Sequence, residues 1–354
     1  MEAYFDNSAT TKALDSVRDI MVKTLTEDFG NPSAKHTKGM EAENYIRQAA
    51  ADIAKTLKVK DKEILFTSGG TESNNMALIG TALANQRAGK HIISTRIEHA
   101  SVYQPLAFLE SLGFEVTYLH VDHNGHISLE ELEQSIRPDT ILVSVMYVNN
   151  EIGAIEPIDE IARLVHGKNP KIVFHVDAIQ AYGKLVIRPK KQGIDLLSVS
   201  GHKIHGPKGM GALYCRKGVW PQNLIDGGSQ EARHRAGTEN VAGIAAMGKA
   251  LEIATAHLDE RMAHESELRD YVIDRILKNI PEARLNGGRS PRLPNNVNIS
   301  FPGLEGETIL LDLDMHGICA STGSACNSDS LDPSHVLLSI GVPEEIGHGS
   351  MRFT

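Results

Sequence analysis

The sequence has few cysteines and no long hydrophobic run. Its three cysteines, Cys215, Cys319 and Cys326, include no C-x-x-C pair, which argues against a disulfide framework or a zinc knuckle. The longest apolar stretch, 141–148, is far shorter than the ~20 residues that span a bilayer. Residues 1–11 contain neither the basic nor the apolar region of a secretory signal. We therefore expect a cytoplasmic protein whose thiols stay reduced.

The sequence also lacks an excess of positive charge. It has 36 Lys and Arg against 45 Asp and Glu, which gives a net charge of −9. This balance removes the electrostatic basis for a dedicated nucleic-acid binder or anionic-membrane binder. With 354 residues, 41% of them hydrophobic and 23% charged, the chain is typical of a globular protein that acts on small molecules.

Short β-branched runs alternate with helical patterns between about residues 60 and 215, as is typical of parallel βαβ units. The runs are apolar almost throughout, which indicates strands buried on both faces. We therefore predict an α/β fold with a mostly parallel seven-stranded sheet flanked by helices. The runs are 63–67, 91–95, 115–121, 140–148, 171–176, 195–200 and 211–215.

A second, smaller α+β domain is predicted after this sheet. A long helical pattern runs from about Val241 to Ile280, and such a helix often bridges two domains. Strand-like and helical segments follow it, at 295–301, 307–317 and 318–322. We expect the large domain to comprise residues 15–250, and the small domain to comprise residues 1–14 and 251–354.

Polar residues collect directly after the predicted strands, where ligands of open α/β sheets bind. The segment SGGTESNN (68–75) follows the first strand as a glycine-rich turn that opens a helix, and the N–H groups there favour a phosphate. The segment matches neither the P-loop nor G-x-G-x-x-G, so an ordinary nucleotide site is not supported. Taken alone, a Thr N-cap in a glycine turn is an equally good interpretation.

Later strands are followed by His99, Asn150, Asp177 and Gln180. A single His or Asp in such a place usually caps a helix or lies in a loop, so their weight comes from their convergence. Lys203 follows the apolar strand DLLSVS and precedes a Gly-Pro-x-Gly turn. A partly desolvated lysine there suits Schiff-base chemistry, although a lysine that snorkels at a strand end is the commoner case.

A lysine, an aspartate and a phosphate cradle are together what pyridoxal 5′-phosphate requires. They supply a Schiff base, an anion beside the pyridine nitrogen and an anchor for the phosphate. No metal site is predicted, because His202 and His205 lack Cys or carboxylate partners at ligand spacing and the sequence has no H-E-x-x-H. The sequence therefore predicts a pyridoxal-phosphate enzyme.

Several motifs resemble, in order and spacing, those of cysteine desulfurases, in the class V branch of fold-type I pyridoxal-phosphate enzymes. The resemblance runs from Tyr4 to Arg352. The motifs are YFDNSATT (4–11), FGNPSAKH (29–36), FTSGGTESNN (66–75), VDAIQ (176–180), SVSGHKIHGPKG (198–209), RAGTEN (235–240) and STGSACNSDSLDPSHVL (321–337).

The resemblance implies roles for the residues around the cofactor ring. Lys203 would hold the cofactor as a Schiff base and move the Cα proton of the substrate. Asp177 would pair with the pyridinium nitrogen, and Gln180 would hydrogen-bond the phenolic oxygen of the ring. His99 would stack on the ring and act as an acid or base near the substrate thiol.

The resemblance also implies which residues bind the phosphate and the substrate. Asn150 and Arg352 would bind the substrate carboxylate. Thr238 would reach the phosphate from a second subunit, which implies a homodimer. The other phosphate-binding residues would be Gly70, Thr71, Ser200 and His202.

Cys326 would be the nucleophile. The implied reaction converts L-cysteine to L-alanine and leaves a persulfide on Cys326, for transfer to a sulfur-acceptor protein such as an iron–sulfur scaffold or a thiolation enzyme. Cys215 and Cys319 lie within apolar runs, so we expect both to be buried core residues.

Other functions stay open. A selenocysteine lyase or another class V aminotransferase is the alternative within the enzyme class, although an aminotransferase has no use for the Cys326 thiol. A catalytically inactive scaffold is the alternative outside it, and the intact Lys203, Asp177 and His99 argue against it. Family members continue past the R-F-T stretch at residues 352–354, so we expect either a shorter polypeptide or part of a longer one.

Overall fold

The protein is described by a computed structural model that covers residues 2–322 and 333–354. Within these ranges there are twelve strands. They are β1 (Ala3–Tyr4), β2 (Ile64–Thr67), β3 (His91–Thr95), β4 (Glu115–Leu119), β5 (Thr140–Met146), β6 (Val173–Asp177), β7 (Leu196–Ser200), β8 (Gly211–Cys215), β9 (Arg284–Leu285), β10 (Val297–Ser300), β11 (Ile318–Cys319) and β12 (Ser350–Phe353).

The same residues form thirteen α-helices and a few tighter or wider turns. A π-helical turn, Met76–Gly80, joins the third helix to the fourth, and a 3-10 turn, Gly201–Lys203, follows β7. The helices are α1 (Asp15–Thr26), α2 (Thr37–Leu57), α3 (Gly70–Asn75), α4 (Thr81–Asn85), α5 (Ala100–Ser111), α6 (Leu129–Ser135), α7 (Ile158–Lys168), α8 (Pro189–Gln192), α9 (Val241–Ala256), α10 (Leu258–Asn279), α11 (Gly306–Met315), α12 (His335–Ser339) and α13 (Glu344–Gly347).

The central sheet contains the seven predicted strands in the order β2-β8-β7-β6-β5-β3-β4. Strands β3 to β7 run parallel, and β8 is antiparallel to both β2 and β7. The prediction of a mostly parallel seven-stranded sheet flanked by helices is confirmed. The sheet edge at the carboxyl ends of β3, β5, β6 and β7 is where the polar residues of the sequence motifs follow.

Successive residues of the central strands belong to opposite layers of the core. On β5, Val143 and Val145 pack in one layer with Ile53 of α2, whereas Leu142 packs in the other with Leu106 of α5. This alternation follows from the two-residue period of a strand. Both faces are therefore buried, which explains why the strand sequences are apolar throughout.

The predicted helix over residues 241–280 is wrong in one respect, because it is two helices. The chain leaves helical geometry at His257, which has φ −131° and ψ 45°, between α9 and α10. Helix α9 is buried almost all round, whereas α10 buries Ile273 and is otherwise largely exposed. The apolar spacing continues across the break, so periodicity alone did not reveal it.

The C-terminal part of the described chain forms a small sheet in the order β12-β10-β9, on which α10 packs. Strand β1 pairs in parallel with β11, so residues near the N-terminus join this part of the molecule. That pairing supports the proposed small domain of residues 1–14 and 251–354, and the division itself stays a prediction. No helix in the two described ranges is long and apolar enough to cross a membrane.

The two described cysteines differ in burial. Cys215, at the end of β8, is fully buried as predicted. Cys319 is only partly buried, so the expectation of a core residue is wrong there. Within the described residues its strand, β11, belongs to a two-stranded sheet with β1, and not to the buried central sheet. Cys326 lies outside the described residues.

Candidate active site

A cavity of about 360 Å³ lies at the carboxyl ends of the parallel strands. It is lined by every predicted site residue except Thr238, which is exposed and lies elsewhere, and Cys326, which falls in the undescribed range 323–332. The predicted residues that line it are Gly70, Thr71, His99, Asn150, Asp177, Gln180, Ser200, His202, Lys203 and Arg352. The topology thus gathers residues that are up to 282 positions apart in the sequence, from Gly70 to Arg352.

Asp177 ends β6 and is 4% exposed. Its Oδ1 accepts a hydrogen bond from the Ile179 backbone N–H at 3.0 Å, and its Oδ2 accepts one from Asn74 Nδ2 at 2.8 Å. Burial raises the pKa of the Asp177 carboxyl, and these bonds and the charges of His99 and Lys203 oppose that rise. A buried carboxylate so placed favours a cation beside it, as a pyridinium nitrogen would be.

His99 is the N-cap of α5. Its Nδ1 accepts from the Ser101 backbone N–H at 3.0 Å and lies 2.9 Å from Ser101 Oγ. Burial lowers the pKa of His99, and the charge of Lys203 lowers it further, against the opposing charge of Asp177. The ring is therefore neutral near pH 7. Because Nδ1 accepts, the proton of the neutral ring lies on Nε2.

The glycine-rich turn after β2 forms the predicted opening of a helix. Gly69 is the N-cap of α3, and its φ of +155° is a backbone conformation that residues with a side chain rarely adopt. Having no side chain, it cannot bond the free N–H groups of the first helical turn. A Cβ on Gly70 would lie 2.2 Å from Ile179 Cδ1, so a larger residue here would have to displace that side chain. The N–H groups of the first helical turn, at Gly70 and Thr71, are thus available to a phosphate.

Lys203 ends the 3-10 turn that follows β7, beside the N-terminal segment. Its Nζ donates to the carbonyl oxygens of Ser8 and Ala9, the latter at 2.6 Å. His202 precedes Lys203 in the same turn, and its Nδ1 lies 3.2 Å from Thr10 Oγ1. Burial lowers the pKa of His202 to about 4, so its ring is neutral.

Arg352 lies on β12 and is 3% exposed. Its Nη2 pairs with Asp6 Oδ1 at 3.0 Å, and its Nη1 donates to the Asn150 backbone carbonyl at 3.1 Å. Its Nε is buried and has no partner among the described residues. The structure therefore brings Asn150 and Arg352 together, as predicted, with the Asn150 main chain making the contact.

Residues of this cavity fit pyridoxal 5′-phosphate. Three buried groups that belong to lining residues have no hydrogen-bond partner within the described ranges: Ser8 Oγ, Ser200 Oγ and Arg352 Nε. Unsatisfied buried polar groups are costly, so their clustering around one cavity indicates a polar ligand. The hydroxyl groups and helix N–H groups suit a phosphate, Asp177 suits a pyridinium nitrogen, and Lys203 is the amine for a Schiff base.

Sequence reasoning missed three residues that hold the predicted ones: Asp6, Asn74 and Ser101. Asn74 Nδ2 bonds both Asp177 Oδ2 and, at 2.9 Å, Ser101 Oγ, so one amide links the aspartate to the His99 cap. A signal existed for Asn74, because it lies four residues after Gly70 and so on the same helix face. No comparable signal marks Asp6.

Known proteins resemble the chain over its whole length. The aminotransferase class-V family matches residues 3–353. A protein named cysteine desulfurase IscS from Dictyoglomus turgidum is 53% identical over 353 residues, which is 100% of this chain and 89% of that protein. One of the same name from Methanosarcina thermophila is 53% identical over 351 residues, which is 99% of this chain and 86% of that protein.

Solved structures agree with these relatives. A NifS-like protein has a TM-score of 0.94 at 40% identity and covers 100% of this chain and 93% of its own. A structure titled SspA in complex with cysteine has a TM-score of 0.89 at 37% identity, with 99% and 98% covered. The chain therefore belongs to the class-V aminotransferase family, in which it groups with the cysteine desulfurases.

Proposed function

We propose that this protein converts L-cysteine to L-alanine and leaves the sulfur as a persulfide on Cys326. The observation that carries the proposal is the gathering of Lys203, Asp177, His99 and Arg352 around one cavity, in a chain 53% identical to a relative named cysteine desulfurase. The structure titled SspA in complex with cysteine supports the same substrate. A class V aminotransferase, by contrast, has no use for the Cys326 thiol.

The family's cofactor, pyridoxal 5′-phosphate, forms a Schiff base with the amino group of an amino acid and withdraws electrons from the Cα of that amino acid. Lys203 would hold it covalently, and the lysine amine would move the Cα proton of the substrate. Asp177 would keep a positive charge on the ring nitrogen. Phosphate contacts would come from Ser200, from His202, and from the α3 N-terminus at Gly70 and Thr71.

Arg352 would bind the substrate carboxylate. Its Nη groups are held by Asp6 and by the Asn150 carbonyl, so the guanidinium plane is fixed before substrate arrives. His99 carries its proton on Nε2 and would donate a hydrogen bond from it to a group of the substrate. Its backbone-anchored Nδ1 keeps that tautomer through the reaction.

Cys326 would act as a thiolate on the substrate sulfur. A sulfur–sulfur bond forms and the Cβ–Sγ bond breaks, with its electron pair left on the carbon side, where a proton completes L-alanine. The product on the enzyme is a persulfide. We propose its transfer to a sulfur-acceptor protein such as an iron–sulfur scaffold or a thiolation enzyme, in a cytoplasmic setting that keeps the thiol reduced.

We also propose a homodimer in which Thr238 of the partner subunit completes the phosphate site. Support comes from the position of Thr238, which is exposed and does not reach the cavity of its own chain. Sedimentation of the purified protein should give twice the mass of one chain. A monomer that retains its cofactor would contradict this arrangement.

The proposed function is tested by alanine release from L-cysteine under reductant. Cys326→Ala is expected to keep the bound cofactor and bind cysteine but to form no alanine. Cys215→Ala and Cys319→Ala are the matched controls, expected to turn over, because neither thiol lines the cavity. Full turnover by Cys326→Ala would contradict the assignment. Faster alanine release from selenocysteine would favour a selenocysteine lyase, and amino transfer to a keto acid would favour an aminotransferase.

A further inference from the structure

A lysine is buried directly behind Gln180. Lys184 is 9% exposed and lies one turn further along the segment that follows β6. Its Nζ donates to Gln180 Oε1 at 3.3 Å. Lys184 and Lys203 also line a second cavity of about 250 Å³, next to the one described above. Neither the sequence motifs nor the proposed reaction gives Lys184 a role.

The contacts of Gln180 fix the orientation of its side-chain amide. Its Nε2 donates to the Ser8 carbonyl at 3.0 Å, and its Oε1 accepts from Lys184. A backbone carbonyl can only accept, so the Ser8 contact excludes the flipped amide, and Lys184 favours the same orientation whenever it is protonated. Gln180 lines the cofactor cavity, and this orientation leaves it the second hydrogen of Nε2 for a ligand.

The charges around Lys184 show that its position is unfavourable for a lysine. Burial and, to a smaller extent, the charges of Lys203, Arg261 and Arg352 lower its pKa to about 7, against the opposing charge of Glu265. Arg261 and Glu265, one turn apart on α10, pair with each other at 3.6 Å and both line the second cavity. A buried amine without an adjacent carboxylate partner contributes little to folding.

We infer that Lys184 is a positioning residue that holds the Gln180 amide with its NH₂ group presented to the cofactor cavity. The inference rests on the proposed function, because it takes an anionic ring oxygen as the group that the NH₂ meets. A donor suits such an oxygen, whereas a flipped amide would present a second acceptor and repel it. The nearby ammonium also polarises the amide and strengthens it as a donor.

The test is a double-mutant cycle on full-length protein freed of cofactor and titrated with pyridoxal 5′-phosphate, followed by absorbance. We expect Lys184→Met to weaken binding about five-fold, the effect of losing one hydrogen bond of ordinary strength. In a Gln180→Met background, the same change is expected to alter binding by less than about two-fold. Lys191→Met, at an exposed position of α8, is the matched control and is expected to bind as wild type.

Thermal unfolding separates positioning from a structural role. The cofactor-free Lys184→Met protein is expected to melt at the same temperature as wild type or higher, because a buried amine is removed. Unchanged affinity in Lys184→Met, or effects of the two substitutions that multiply, would overturn the inference. Should Lys184→Met fail to fold, Lys184→Arg carries the test. Arginine keeps a side chain that only donates, so this variant is expected to bind the cofactor with wild-type affinity. A folded Lys184→Arg protein that binds the cofactor weakly would overturn the inference.

The two proposals fail separately. Cofactor binding is read without turnover, so wild-type protein that forms no alanine would end the proposed function while the cycle still reports on Lys184. Alanine formation together with independent effects of the two substitutions would end the Lys184 inference alone.

Discussion

The cofactor cavity has two walls built by different parts of the chain. The sheet wall consists of residues that follow β3, β6 and β7, among them His99, Asp177 and Lys203. The terminal wall consists of the segment around Ser8 together with Arg352 on β12. Asp177 and His99 of the sheet wall are linked through Asn74 and Ser101, whereas the terminal wall offers a single guanidinium and the backbone carbonyls that hold Lys203.

This difference separates two tasks. Rigid strand ends, buried on both faces, can hold several polar groups in a fixed arrangement, as a resident cofactor requires. The terminal wall depends on pairings between distant parts of the chain, such as the bond from the Ser8 backbone N–H to Thr354 Oγ1 at 2.7 Å. We therefore expect changes in the sheet wall to affect the cofactor, and changes in the terminal wall to affect the substrate.

The largest effect is expected in the sheet wall. Lys203→Ala removes the amine that would hold the cofactor, so activity should fall by on the order of 10³-fold or more. Borohydride reduction of wild type should fix the cofactor to the peptide containing Lys203, and the variant should yield no such adduct. Lys208→Ala, in the exposed turn that follows, should label and turn over normally. An adduct mapped to another lysine would refute the assignment.

A smaller effect, of a different kind, is expected in the terminal wall. Arg352→Lys keeps the charge but loses the planar fork held by Asp6 and Asn150, so kcat/KM should fall by about 10²-fold, mainly through KM. The absorbance of the bound cofactor should not change. Arg284→Lys, on the exposed strand β9 of the same small sheet, should have no effect. Loss of cofactor from Arg352→Lys would remove the distinction between the walls.

The support of Asp177 should matter less than either group. Asn74→Leu removes one hydrogen bond from the Asp177 carboxylate, which burial already disfavours, so the pKa of Asp177 should rise further and cofactor affinity fall by about ten-fold. Titration with pyridoxal 5′-phosphate measures the change. Asn75→Leu is the control. Among the described residues, the side-chain amide of Asn75 bonds only to the backbone carbonyl of Thr71 in the same helix. Equal affinities of the two variants would argue against a role for Asn74.

The two walls also differ in how far the sequence predicts them. Parallel strands buried on both faces leave apolar runs with sharp ends, so the positions of Asp177 and Lys203 follow from the sequence directly. Arg352 was predicted from resemblance alone, because its meeting with Asp6 depends on strand pairings that no local pattern encodes. For the same reason the sequence does not reveal that Asn150 contributes its carbonyl. The helix break at His257 has another cause, because the apolar spacing continues across it.

The smallest effect on activity, and a clear one on stability, is expected at Glu98. Its Oε1 accepts from Thr95 Oγ1 at 2.8 Å and from the Met146 N–H at 2.9 Å, which ties β3 to β5, and burial raises the pKa of the carboxyl to about 8. A raised pKa means that the folded state retains a proton that the unfolded chain loses near pH 4.5, so stability is complete below that pH and is lost as pH rises toward 8.

Glu98→Gln mimics the protonated carboxyl and should remove this loss. Relative to wild type, it should be about neutral near pH 5 and more stable by on the order of 4 kcal/mol near pH 9, as measured by urea unfolding. Glu282→Gln, at an exposed site, should leave the pH dependence unchanged. Glu151, a second buried carboxyl, accepts from Ser334 and its pKa is raised only to about 7, so Glu151→Gln should gain less. Stability curves of Glu98→Gln and wild type that run parallel with pH would show that Glu98 does not stay protonated behind the sheet wall.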